Sequence, residues 1–165
     1  MNFAMSIGSM TNWWSAYYSD HQVISVLIRY VHLAALMVGG GSALAIDRVV
    51  LASARRRTDD RRHAAMTALR GSHLVVVPAL IVVTASGVMM TAADWSTFEA
   101  SRLFWFKMGL FALLVVNGGA LVAAERRYAQ AADVNKWRRV ILTSGASLLL
   151  WMLILLIGEW LTVAA

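Results

Sequence analysis

The chain carries four histidines, nine methionines and no cysteine, and these counts set the chemistry open to it. Without a thiol, disulfides, cysteine-ligated zinc, iron–sulfur clusters and thiolate catalysis are all excluded. His32 lies inside a long apolar run, where an ionisable group is costly and is usually kept for function. Positions 32, 35, 36, 39, 42 and 43 share one face of a helix, so His32 stands above Ala35, Gly39, Ser42 and Ala43. An imidazole over such small side chains could receive a flat macrocycle lying along the helix, with the ring as axial ligand to iron. The same pattern also suits a histidine hydrogen-bonded to a neighbouring helix, with the small residues letting two helices approach.

His73 follows Arg70–Gly71–Ser72 at the edge of a second apolar run. Counting helical rise from the span ends puts it roughly 13–20 Å from His32 along the membrane normal, too far to share one iron. It is read as an interfacial histidine or as the mark of a second site. Residue counting groups Arg29, Met89, Met90, Lys107 and Glu159 near the depth of His32, each apolar run contributing. Arg29 and Lys107 are candidate partners for haem propionates, phosphate or Glu159, or they snorkel to the interface. Met89 or Met90 is a candidate sixth ligand to haem iron or a soft ligand to Cu(I). Asn117 is a candidate interhelical hydrogen bonder, and His21 and His63 lie in polar segments. No Ser–His–Asp spacing, intramembrane carboxylate pair, phosphate loop or HExxH motif occurs, so nothing resembles hydrolytic catalysis and redox or transport chemistry is what the residue types permit.

Positioning these residues falls to four apolar spans, approximately Val23–Ile46, His73–Ala93, Leu103–Ala124 and Val140–Val163. Each exceeds the roughly 20 residues needed to cross a hydrocarbon core. Of the 165 residues, 59% are hydrophobic and 15% charged, which excludes a disordered chain, a coiled coil or a disulfide scaffold. The runs do not alternate, so they are helices rather than barrel strands. The expectation is an all-α integral membrane four-helix bundle, a single domain over residues 1–165. Residues 1–22 form an outer interfacial segment anchored by Trp13, Trp14, Tyr17 and Tyr18 and lack the features of a signal peptide.

Seven arginines in Asp47–Ser72 and five Lys/Arg in Glu125–Arg139 face only Arg29, Arg102 and Lys107 on the other side. The positive-inside rule then puts both basic connections in the cytoplasm, and both termini with the Asp94–Ser101 loop outside a bacterial-type inner membrane. This asymmetry accounts for the net charge of +6, and no nucleic-acid platform accompanies it.

Shifting the sequence by 78 positions lays Arg29 on Lys107, Gly40–Gly41 on Gly118–Gly119, and Asp47–Arg48 on Glu125–Arg126. The second and fourth spans align through Gly71 and Gly145 after a change of offset, which puts His73 on Ser147. A duplicated two-helix hairpin gives this pattern, and so does ordinary membrane grammar of Gly pairs and terminal charges. His32 falls on Leu110, so an imidazole site belongs to the first hairpin.

Arg29–Tyr30–Val31–His32 leading to Gly39–Gly40–Gly41, with Ser86–Gly87 and Phe104–Trp105–Phe106–Lys107–Met108–Gly109–Leu110, resembles a superfamily of small bacterial membrane proteins. That superfamily includes copper-resistance protein D domains and the J-type protoporphyrinogen oxidases. The resemblance implies functional roles for His32 and Lys107, and haem b or copper as cofactor. Gly39 stands where a Trp is common, and Val116–Asn117 stands where the oxidases have Tyr–His, so haem binding is implied more strongly than porphyrinogen oxidation. The resulting expectation is a haem b-binding, cytochrome-like electron-transfer protein with His32 as ligand and Arg29, Lys107 and Gly39 around the cofactor. Its partners would be the lipid bilayer, quinone or other membrane redox subunits, or further copies of itself. The alternatives are a copper-handling protein using His32 with Met89 or Met90, and a cofactor-free subunit of a larger membrane complex.

Overall fold

The computed structural model describes residues 12–55, 59–130 and 133–164. Among them are six helices and no strand: α1 (residues 12–20), α2 (Gln22–Arg55), α3 (Asp59–Ala93), α4 (Trp95–Ala100), α5 (Arg102–Gln130) and α6 (Val134–Ala164). In lipid every backbone polar group must be satisfied within the chain, and unbroken helices do this without sheet edges. Four helices, α2, α3, α5 and α6, are long and apolar enough to cross a membrane. The protein is an all-α, multi-pass membrane protein.

The helices outrun the spans. The first continues from Ile46 to Arg55, the second begins at Asp59 rather than His73, and the fourth begins at Val134 rather than Val140. Charged residues mark where hydrocarbon ends, not where a helix ends, because a helix suits water equally well. At 35 residues, α3 is about 52 Å long against a hydrocarbon core of about 30 Å. It therefore projects well beyond the lipid at the arginine-rich end of the bundle. The connection expected as a loop over Asp94–Ser101 contains the short helix α4. Pro78 sits inside α3 on an exposed face, where its missing N–H leaves the Leu74 carbonyl without its helical donor.

Small residues decide which helices touch. A Cβ at Gly39 would lie 2.6 Å from Ala79 Cβ, so α2 and α3 meet backbone to backbone there. A Cβ at Gly40 would lie 3.2 Å from the Trp151 ring, which seals α2 against α6. Thus α3 packs on α2, α2 on α6 and α6 on α5, whereas α3 and α5 do not close along their lengths. Buried residues form two clusters. One, at mid-bundle, includes Ala43, Leu114, Leu150 and Trp151. The other, at the arginine-rich end, joins Val50, Ala65, Leu69, Tyr128, Trp137 and Val140.

At the opposite, aromatic end, α1 lies against the bundle. Trp14 Nε1 donates to the Met89 carbonyl at 2.8 Å, and Arg29 Nε donates to Tyr18 Oη at 3.3 Å. Residues 1–11 of the expected interfacial segment lie outside the described residues.

Candidate binding cleft and its buried acids

Because α3 and α5 stand apart, a cleft of about 630 Å³ runs between them, within the range of small-molecule sites. One wall is α3, from Leu69 and His73 through Val77 to Ala85; the other is α5, from Phe111 through Gly118 and Gly119 to Val122. Ala43, Ile46 and Asp47 of α2, with Ser147 and Trp151 of α6, form the floor. No side chain meets a Cβ placed at Gly118 or Gly119 within 4 Å, so this part of the α5 wall is open. The lining is overwhelmingly apolar, with its polar groups concentrated toward the arginine-rich end.

Two buried acids stand at that end. Glu125 of α5 is 6% exposed; its Oε1 accepts from Arg70 Nε at 3.0 Å and its Oε2 lies 2.8 Å from His73 Nε2. The carboxylate thereby ties α3 to α5 below the cleft. Asp47 of α2 is 2% exposed. Ser147 and Ser144 of α6 face its carboxyl, yet Asp47 Oδ2 and Ser144 Oγ are buried without a hydrogen-bond partner. A buried polar atom left unpaired costs about 1–3 kcal/mol, which the approach of the Ser147 and Ser144 hydroxyls to the Asp47 carboxyl offsets in part.

His32 occupies a different place. Its Nδ1 lies 2.9 Å from Ser86 Oγ, and the Ser86 hydroxyl in turn reaches the Val82 carbonyl at 2.6 Å. Since the hydroxyl proton goes to that carbonyl, Nδ1–H donates to Ser86 Oγ and the lone pair stays on Nε2. Gly87 leaves room for the ring, whose Cε1 would sit 3.4 Å from a Cβ there. His32 is therefore oriented as a ligand would be, but it does not line the α3–α5 cleft; His73 does. Ser86 lies thirteen residues from His73 on α3, about 20 Å by helical rise, which keeps the two imidazoles in separate sites.

The other expected residues meet a range of neighbours. Lys107 is half-buried, its Nζ 3.3 Å from where a Cβ at Gly158 would be. Arg29 is exposed and lies over the Tyr18 ring. Met89 is exposed, Met90 half-buried and Glu159 exposed. Gly39 is occupied by its contact with Ala79 and so serves helix packing. Asn117 Nδ2 donates across to the Thr143 carbonyl at 3.0 Å, joining α5 to α6. Among the described residues no group of three or more His, Cys, Asp or Glu gathers to hold a metal ion.

Sequence reasoning passed over Asp47 and Glu125 as span-end charges. Their signal was available: acids at equivalent positions of both hairpins, each inside a basic segment. Comparison of the chain with protein-family models, with curated proteins and with solved structures finds no match.

Proposed function

We propose that this membrane protein holds a lipid-soluble ligand in the cleft between α3 and α5, taken laterally from the bilayer, as part of membrane redox chemistry. The observation that carries the reading is the cleft itself: apolar walls of membrane-spanning helices, with Asp47, His73 and Ser147 toward one end. Apolar walls suit a hydrophobic body, and the few polar groups orient its head. The charge asymmetry of the sequence supports placing the arginine-rich end at the cytoplasmic face of an inner membrane, with both termini outside. To test the reading, Val77 is replaced by Trp to fill the cleft, and hydrophobic small molecules co-purifying with protein in lipid nanodiscs are identified by mass spectrometry. A species retained by the wild type and absent from Val77→Trp supports the cleft; identical profiles overturn it.

A second reading, haem b held by His32, is favoured by the Ser86 hydrogen bond that leaves Nε2 with its lone pair. The donor fits, while the cleft between α3 and α5 is lined by His73 and not by His32. Haem titrated into the apoprotein discriminates. A Soret band lost in His32→Ala alone supports haem at His32, and a band lost in His73→Ala alone moves it to the cleft.

A further inference from the structure

On the aqueous side of the Glu125 tie, α3 and α5 enclose a second, smaller pocket of about 250 Å³. His63, Met66, Thr67 and Arg70 of α3 line it with Tyr128 and Ala129 of α5. Arg70 lies three residues before His73, where the second apolar run begins, and Tyr128 lies four after Ala124, where the third ends. By helical rise both stand about 4–6 Å past the hydrocarbon, within a headgroup layer roughly 5–8 Å deep.

Two of the lining side chains bring unused donors. Arg70 is held by one bond, Nε to Glu125 Oε1 at 3.0 Å, and its two terminal nitrogens have no partner among the described residues. A guanidinium fixed along one edge keeps its other N–H groups and its permanent charge for a further group. Tyr128 is 7% exposed, its ring tilted against Trp137 with centroids 5.1 Å apart. Its hydroxyl carries no hydrogen bond among the described residues, and it is not sealed off as the neighbouring Trp137 Nε1 is. A buried phenol usually finds a partner for its O–H, and the space that Tyr128 lines is this pocket. Thr67 adds no free donor, because its hydroxyl donates to the His63 carbonyl at 3.1 Å.

Such donors suit an anion. No Asp or Glu lines the pocket. Glu125 offsets Arg70 locally, but Asp47–Ser72 and Glu125–Arg139 together hold twelve Lys/Arg against five Asp/Glu, so the field over this end of the bundle is positive. At headgroup depth the abundant anion is phosphate, and the fork of an arginine matches two phosphate oxygens.

We propose that Arg70 and Tyr128 form a phosphate-binding site at headgroup level between α3 and α5. Arg70 supplies the charge and the fork, and the Tyr128 hydroxyl supplies a further bond. An acidic phospholipid and soluble phosphate share this chemistry. The site is independent of the cleft reading, since neither residue lines the cleft.

The test titrates delipidated full-length protein in detergent and counts bound molecules by native mass spectrometry. The probes are dioleoyl phosphatidic acid, inorganic phosphate, and dioleoylglycerol, which keeps the chains and lacks the phosphate. Wild-type protein is expected to prefer phosphatidic acid over dioleoylglycerol by roughly tenfold or more, the scale of charge-assisted hydrogen bonds. Arg70→Gln is expected to remove most of that preference, and Tyr128→Phe, which keeps the ring on Trp137, to cut it severalfold. Arg126→Gln, at an exposed arginine outside the pocket, is expected to leave it unchanged. A preference that excess inorganic phosphate does not erase assigns the site to the lipid. A preference that it erases, or phosphate binding without lipid preference that Arg70→Gln removes, assigns the site to soluble phosphate. Wild-type protein showing neither lipid preference nor phosphate binding overturns the proposal. So does binding undiminished in Tyr128→Phe, or a loss in Arg126→Gln as large as that in Arg70→Gln. Should Arg70→Gln fail to fold, Tyr128→Phe against Arg126→Gln decides, because deleting one hydroxyl leaves the packing in place.

Discussion

Asp47 and Glu125 are counterparts. They lie 78 residues apart, each on the first helix of its hairpin, and each turns toward an i, i+3 pair on the second helix of the other hairpin. Asp47 faces Ser144 and Ser147; Glu125 holds Arg70 and His73. The pairs are themselves related by 74 residues, the shift that aligns Gly71 with Gly145. The two crossings are one arrangement used twice, filled with hydroxyls in one copy and with a cation and an imidazole in the other. The same relation explains the cleft. Where Gly40 meets Trp151 at the sealed α2–α6 contact, the matching positions at α5–α3 are Gly118 and Val77, and both line open space.

Exchanging those bulks should exchange the packing. Trp151→Val is expected to destabilise the bundle by about 3 kcal/mol or more, as removal of a buried aromatic does, and to admit a hydrophobic dye at α2–α6. Thermal unfolding in detergent with a partitioning dye measures both. A Trp151→Val variant as stable as the wild type would show that Trp151 does not seal the contact.

The glycines make a paired prediction. Gly39→Ala drives a methyl into Ala79 and is expected to cost about 1–3 kcal/mol through overpacking. Gly118→Ala meets nothing and is expected to be neutral or slightly stabilising, since alanine favours a helix over glycine. Equal effects on the unfolding midpoint would contradict the assigned contacts.

A double-mutant cycle resolves the Glu125 pairings. His73 is less exposed than Arg70, at 29% against 57% of the side chain. Coupling of Glu125 to His73 is therefore expected to exceed its coupling to Arg70, which solvent holds to about 1 kcal/mol or less. The reverse order would place the tie between α3 and α5 in the arginine.

Topology is open to single-cysteine labelling, because the chain has no native cysteine. Ser53, though polar, is buried and bonded to the Val50 carbonyl; exposed Ala129 is the better reporter against Thr97. A membrane-impermeant maleimide applied outside is expected to label position 97 and spare position 129.

Much of the architecture was legible because lipid allows few answers. An apolar run of some twenty residues has to be a helix, and the four runs led directly to four long helices. Helix ends were not legible, because Asp47 and Arg48 mark the end of the apolar run while α2 continues unbroken to Arg55. The candidate site was harder still. His32 drew attention as an imidazole in an apolar run, whereas Asp47 looked like a terminal charge. Whether a residue at that depth is wet or dry depends on what α6 brings to it. The cleft was invisible for a similar reason, because the difference between Trp151 and Val77 acquires meaning only once each is known to face a glycine on a neighbouring helix.

Among the described residues the most completely enclosed hydrophobic ones, Val50, Ala65 and Val140 at 0% exposure with Leu69 at 2%, lie toward the arginine-rich end, where α3 projects beyond the hydrocarbon. Hydrophobic association has force against water and little against acyl chains. Helices α3 and α5 are thus fastened where solvent presses them together and stand apart where lipid surrounds them, as the legs of tongs are held at the hinge. Spreading of α3 from α5 strips lipid from lipid at little cost, while the aqueous clamp keeps the legs in register. Resistance to unfolding should then track aqueous cosolvents more closely than acyl-chain length, with urea loosening at the hinge a bundle whose membrane portion it scarcely touches.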